Sequence, residues 1–136
     1  MALHISRALL DQIIRHAAEN TRREACGLLT GAGDRITGVT RADNVAADPA
    51  RRFEIDPAVQ FAAIRAARAG GPQVIGHYHS HPNGLAAPSA CDAAAAAGPP
   101  AWWLLVAGGE ATAWRSGAGD GLHGCFASVE LVAENG

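Results

Sequence analysis

His79 and His81 stand two apart in the run Gly76-His77-Tyr78-His79-Ser80-His81-Pro82, and Asp92 follows eleven residues after His81 in Pro88-Ser89-Ala90-Cys91-Asp92. Two imidazoles and one carboxylate are what a catalytic zinc ion takes from a protein, with a fourth position left for water. The chemistry such a set predicts is hydrolysis. Side chains alternate along a strand, so His77, His79 and His81 share one face if the run is extended. Ser89 is a plausible helix cap, which puts Asp92 in a first helical turn, where the helix dipole favours a carboxylate. Ser89-x-x-Asp92 also has the form of a capping box. The two roles of Asp92 are compatible, because a carboxylate has two oxygens to share.

A hydrolytic zinc site also needs a base that takes a proton from water and hands it to the leaving group. Glu24, just ahead of the apolar run Cys26-Gly27-Leu28-Leu29, can project into a cleft. On its local sequence alone it reads better as the solvated end of the charged run Arg22-Arg23-Glu24. His77 lies on the ligand face but outside the His79/His81 pair, which suits a supporting or packing role. Cys91 adjoins Asp92, and thiolate is a good zinc ligand, but neighbours on a helix point about 100° apart. Cys26 is expected in the core. His4, His16 and His123 are isolated, and no function is assigned to them.

The elements that must position these groups alternate between helix and strand. Leu9, Leu10, Ile13, Ile14 and Ala17 recur at helical spacing after the N-cap candidate Ser6. Two strands, 26–30 and 35–40, flank the hairpin signal Gly31-Ala32-Gly33-Asp34. A polar loop follows over 42–51. Asp56-Pro57 then opens a helix that carries Val59, Phe61, Ala62 and Ile64 and stops at Gly70-Gly71. A strand over 73–79 leads into a loop containing Pro82, Asn83 and Gly84. A short helix spans 89–97, stopped by Gly98-Pro99-Pro100. Residues 102–107 and 110–115 form a second hairpin across Gly108-Gly109, and 126–133 form a last strand. The tryptophans of Trp102-Trp103-Leu104-Leu105-Val106 are expected inside. The order of elements predicts an α/β or α+β layer fold on a central sheet.

The 136 residues fit one domain, 1–136, with a single core. All eleven basic residues are arginine, and the formal net charge of −2 gives no reason to expect nucleic acid or an anionic membrane as partner. No apolar run reaches transmembrane length. The first residues lack the basic and apolar regions of a secretory signal. Three cysteines without a Cys-x-x-Cys pair argue against a disulfide framework and for a reducing, cytoplasmic setting.

Taken together and in order, Glu24-x-x-Gly27-Leu28-Leu29, Gly76-x-Tyr78-His79-Ser80-His81-Pro82 and Pro88-Ser89-x-x-Asp92 closely resemble the JAMM (MPN+) metalloprotease family. The resemblance runs from about Leu3 to Ala113 and includes Phe53-Glu54-Ile55-Asp56-Pro57. It implies His79, His81 and Asp92 as zinc ligands, Glu24 as general acid/base, and Ser89 as a stabiliser of the tetrahedral intermediate. It implies a curved mixed β-sheet flanked by helices, similar to the cytidine deaminase fold. It further implies a zinc metallopeptidase that hydrolyses a peptide or isopeptide bond. The chain has no room for the long insertions with which eukaryotic members grip ubiquitin, so it resembles the small stand-alone prokaryotic branch. That branch implies a ubiquitin-like or sulfur-carrier protein with a Gly-Gly tail as substrate. Two other readings stay open: a catalytically silent MPN scaffold, and a non-haem Fe(II) oxygenase built on two histidines and a carboxylate. A zinc deaminase is disfavoured, because its Pro-Cys-x-x-Cys element is missing.

Overall fold

A computed structural model describes residues 1–82, 84–96, 98–117 and 121–135. Asn83 of the expected 80–88 loop and Ala97 at the end of the expected 89–97 helix lie outside the described residues.

The order is β1 (Ala2–Ser6), α1 (Arg7–Glu19), β2 (Cys26–Ala32), β3 (Arg35–Ala42), α2 (Pro57–Arg68), β4 (Gln73–Ser80), α3 (Ala90–Ala95), β5 (Trp102–Ala107), β6 (Glu110–Ser116) and β7 (Phe126–Glu134). The strands lie in the order β1-β3-β2-β4-β5-β6-β7. The expected curved mixed sheet is present, and it closes: β1 pairs in parallel with both β3 and β7. β4 pairs antiparallel with β2 and parallel with β5, so it lies inside the sheet with a neighbour on each side.

β1 was not expected from the sequence. Its only signal is Leu3 and Ile5, two apart and fully buried, too short a run for alternation to stand out. The first hairpin is tighter than the Gly31-Ala32-Gly33-Asp34 reading. β2 continues through Ala32, which pairs with Arg35, and only Gly33 and Asp34 turn. Gly33 has φ +58°, as two-residue hairpins require of a central position.

α1 forms as its spacing predicts. The Ser6 hydroxyl accepts the Leu9 N–H at 3.2 Å, and the helix buries Leu10 and Ile13 against the sheet. Around them Leu3, Ile5, Leu29, Ile36, Tyr78, Trp102, Leu104 and Val106 make the main core. α2 begins as predicted, with the Asp56 carboxylate accepting the Ala58 N–H and Pro57 in the first turn. It buries no residue fully, and Phe61, expected on its apolar face, is 67% exposed. α3 is shorter than expected, and Ser89 caps it rather than entering it.

Candidate metal centre

β4 delivers His79, and the ladder runs on to His81, whose N–H donates to the Val106 carbonyl at 2.9 Å. Gly76 lets β4 and β5 approach, since a Cβ there would sit 2.0 Å from the Trp102 carbonyl oxygen. His77 and His79 share a face of β4, as alternation predicts, and their rings stack with centroids 5.4 Å apart. Phe53, from the loop ahead of α2, lies flat on His79 at 4.2 Å. Trp103 closes the stack edge-on to His77 at 4.3 Å.

Three electron-pair donors converge beyond this stack. His79 Nε2 is 3.1 Å from His81 Nε2 and 3.2 Å from Asp92 Oδ1, and His81 Nε2 is 3.0 Å from Asp92 Oδ2. Ligands about 2.0–2.1 Å from a tetrahedral zinc ion lie roughly 3.3 Å apart, so the spacing fits such an ion. The orientation of His81 fits too. Its Nδ1 lies 2.8 Å from the Leu85 carbonyl oxygen, which only accepts, so Nδ1 carries a proton and Nε2 faces Asp92. Burial lowers the His81 pKa, but the hydrogen bonds to Asp92 and Leu85 outweigh it and raise the pKa, and a metal ion would take the place of the Nε2 proton. All three groups are shielded, with side-chain exposures of 0%, 9% and 5% for His79, His81 and Asp92.

α3 holds Asp92 by the capping box that the sequence predicts. Ser89 N–H donates to Asp92 Oδ2 at 2.9 Å, and the Ser89 hydroxyl accepts Asp92 N–H at 3.0 Å. Capping and contact with both histidines therefore coexist in one carboxylate. The Ser89 hydroxyl proton is left free to donate.

Glu24 approaches the histidines from another side. One of its carboxylate oxygens lies within 4.8 Å of a ligand nitrogen of each histidine, and Glu24, His79 and His81 together form a group able to hold a metal ion. Glu24 is 4% exposed, and its Oε1 is buried without a hydrogen-bond partner among the described residues. Ser80 pins the adjoining peptide: its hydroxyl accepts Ala25 N–H at 2.8 Å, and its own N–H donates to Ala25 O at 3.0 Å.

The two carboxylates are driven apart electrostatically. Burial lifts the Glu24 carboxyl to about 7, raised further by Asp92 and restrained by His81. Burial also pushes Asp92 upward, but the hydrogen bonds from His79 and His81 outweigh it and hold Asp92 well below the carboxylate range. Burial lowers His79 and drops His77 to about 3, so both rings are neutral at pH 7.

His77 thus packs in the stack and stays outside the donor cluster. Cys91 borders a groove of about 570 Å³ beside Asp92, shared with Ala46, Ala47, Phe53 and Ala94, and is also outside the cluster. Cys26 is fully buried next to Ala42 and Ile55, as expected. The Leu85 carbonyl, the Phe53 and Trp103 rings and the Asn44 side chain were missed as site elements. Phe53 stood in the resembling motif without a role, and Asn44 carried no signal beyond being polar in a loop.

A closed mixed sheet with flanking helices is shared with solved structures of the JAB/MPN type. A JAB1/MPN domain protein from Archaeoglobus fulgidus matches with TM-score 0.60 at 20% identity, over 96% of this chain and 98% of that one. A protein from Desulfitobacterium hafniense, solved in solution, matches with TM-score 0.82 at 26% identity, over 100% of this chain and 94% of that one. The family of prokaryotic homologs of the JAB domain matches residues 6–117, and the chain belongs to that family. It is 36% identical over 88 residues to a desampylase of Haloferax volcanii, across 60% of this chain and 63% of the relative. It is 30% identical over 92 residues to a probable TtuB-protein conjugate cleaving protease of Thermus thermophilus, across 68% of this chain and 62% of the relative. The chain therefore matches somewhat under two thirds of the length of these two relatives. Among the described residues, no helix is long and apolar enough to cross a membrane.

Proposed function

We propose that this chain is a zinc-dependent metallopeptidase of the cytoplasm, acting as a single domain over 1–136. Its substrate is a peptide or isopeptide bond that follows the C-terminal Gly-Gly of a ubiquitin-like or sulfur-carrier protein. The observation that carries the reading is geometric: His79 Nε2, His81 Nε2 and the Asp92 carboxylate meet at 3.0–3.2 Å, and a Glu24 carboxylate oxygen lies within 4.8 Å of both histidines. Asp92 stays ionised and touches both imidazoles, as a ligand does. Glu24 has a carboxyl near 7 beside them, as a proton carrier does.

His79, His81 and Asp92 would hold the zinc ion. When bound, zinc supplies the Lewis acidity that polarises a scissile carbonyl and makes water acidic enough to lose a proton near pH 7. Glu24 would take a proton from the attacking water and deliver it to the leaving amine. The Ser89 O–H donates to the oxygen on which charge develops. The groove of about 570 Å³ beside Asp92, lined by Ala46, Ala47, Arg52, Phe53, Glu54 and Ala94, has room for an extended tail that reaches the site. The names of the relatives, a desampylase and a conjugate-cleaving protease, point to the same substrate class.

The test is incubation of the zinc-loaded protein with Gly-Gly-tailed fusions and lysine conjugates of such carriers, with a chelator control. Cleavage after the second glycine that stops with chelator and returns with zinc is the expected result. An intact substrate pool under all conditions sinks the reading in favour of a silent scaffold. An Fe(II) oxygenase leaves Glu24 without a task, and metal analysis of protein purified without added metal separates it from the zinc reading.

A further inference from the structure

Glu24 is a base with no side-chain partner to aim it: its Oε1 is buried and makes no hydrogen bond among the described residues. Its direction must come from its backbone. That backbone is gripped by the 44–54 loop, of which only Phe53 and Glu54 belong to a motif the sequence displays. Glu24 N–H donates to Pro49 O at 2.7 Å. Asn44 Nδ2 donates to Glu24 O at 3.0 Å, and also to Pro49 O at 3.2 Å and Arg52 O at 3.0 Å. Asn44 Oδ1 accepts Ala46 N–H and Glu54 N–H, each at 3.1 Å. One side chain, 8% exposed, thus makes five polar contacts, its two N–H groups shared among three carbonyls and its oxygen accepting two amides. It closes the loop on itself and fastens the closed loop to the catalytic candidate. The primary amide is suited to this, because it offers two N–H donors and an oxygen with two lone pairs in one plane.

We infer that Asn44 is the positioning residue of Glu24: it holds the peptide that follows Glu24 and braces Pro49, which holds the peptide that precedes it. The inference rests on the reading of Glu24 as general acid/base. Asn44 touches neither substrate nor metal ligand in this role, and acts only through Glu24. A base displaced by an ångström loses rate while substrate binding and the metal site are unchanged.

The experiment compares wild type, Asn44→Ala and Asn44→Ser, each zinc-loaded, on a Gly-Gly-tailed fusion. The expected result is a kcat lower by about tenfold to a hundredfold. KM and zinc bound per chain stay as in wild type, and the melt stays cooperative at a lower Tm, because Asn44→Ala leaves buried polar groups without partners. In a Glu24→Gln background, Asn44→Ala is expected to change the residual rate no further, because both act on one step. Hydrogen exchange gives a readout free of turnover: the Glu24 amide loses protection in the variants, while the Tyr78 and His79 amides of β4 keep theirs. If wild type cleaves nothing, the proposed activity fails, and the exchange result still decides whether Asn44 holds Glu24. Unchanged kcat together with unchanged Glu24 protection overturns the inference. Failure of both variants to fold overturns it too, by making Asn44 a structural residue alone.

Discussion

The two faces of the same strands are built in different ways. On one face Leu29 of β2, Tyr78 of β4 and Leu104 of β5 join Leu10 and Ile13 of α1 in a continuous apolar cluster. On the other face Leu28, His77, His79 and Trp103, from the same three strands, meet Phe53, Ile55 and the loop that carries Asn44. The first face is held by burial of aliphatic area, which is non-directional and tolerant. The second is held by a flat aromatic stack and directional hydrogen bonds, which fix ring planes and carboxylate directions to the fraction of an ångström that chemistry needs. Neighbouring residues of one strand therefore serve different ends: Tyr78 secures the fold, and His79 serves the site. The cost falls on the second face, where Glu24 Oε1 is buried without a hydrogen-bond partner among the described residues.

The strongest way to break the comparison is Glu24→Gln. Removing a general base costs about 10²–10⁴ in rate. The variant is expected to lose turnover on that scale while binding the same zinc per chain. Its melting temperature should be no lower than that of wild type, because a neutral amide replaces a buried, unpartnered carboxyl. Rate assays, metal analysis and a thermal melt on one preparation check all three. Full peptidase activity in this variant would end the proposed mechanism. The counterpart on the other face is Ile13→Ala, which removes a fully buried side chain from the apolar cluster. It should cost about 2–5 kcal/mol of stability in a denaturant titration. The folded fraction should keep its kcat at low temperature. A kcat that falls with stability would mean the two faces are not separable.

The same division explains what could be read in the sequence. α1 was legible because a helix that buries one stripe repeats its apolar residues at helical spacing, and Ser6 marks its start. The histidine pair and the Ser89-x-x-Asp92 turn were legible because they are local: strand alternation and a capping box bring their groups together without help from distant segments. Glu24 was visible only through the joint pattern, since its own neighbours, Arg22 and Arg23, give it the look of a solvated residue. The support of the site was illegible. Phe53 meets His79 only after α2 and β4 have packed, and Asn44 becomes a hub only when its loop folds back on Glu24. β1 was too short to show a period. Its parallel pairing with β7, from the opposite end of the chain, has no local signature.

A gentler probe of the site face is Phe53→Ala. The ring lies flat on His79 with centroids 4.2 Å apart, and it also meets His77 and Trp103. Aromatic contacts of this kind contribute about 0.5–1.5 kcal/mol beyond burial, which converts to roughly two- to tenfold in binding. Competition with a chromogenic chelator should show zinc held more weakly by that factor, with the Tyr78 face unaffected. Unchanged zinc affinity would reduce Phe53 to a filler of the apolar floor.

The smallest effect belongs to a polar contact made by the scaffold face. His16 Nδ1 of α1 lies 2.6 Å from the Tyr78 hydroxyl, which is otherwise buried in the apolar cluster. Burial lowers the His16 pKa from its ordinary value, and Arg41 lowers it further, against opposing contributions from Glu19 and Asp43. The folded chain therefore binds the His16 proton less readily than the unfolded chain does. Where the unfolded state holds more protons, stability rises with pH. The contribution of His16 is then full above the unfolded value of about 6.5 and fades as the pH falls through the lower folded value. His16→Gln keeps a polar partner for Tyr78 but cannot titrate. Melts at pH about 7.5 and about 5.5 should show a smaller loss of Tm on acidification in the variant than in wild type. Equal losses would mean that His16 is as easily protonated in the folded protein as outside it.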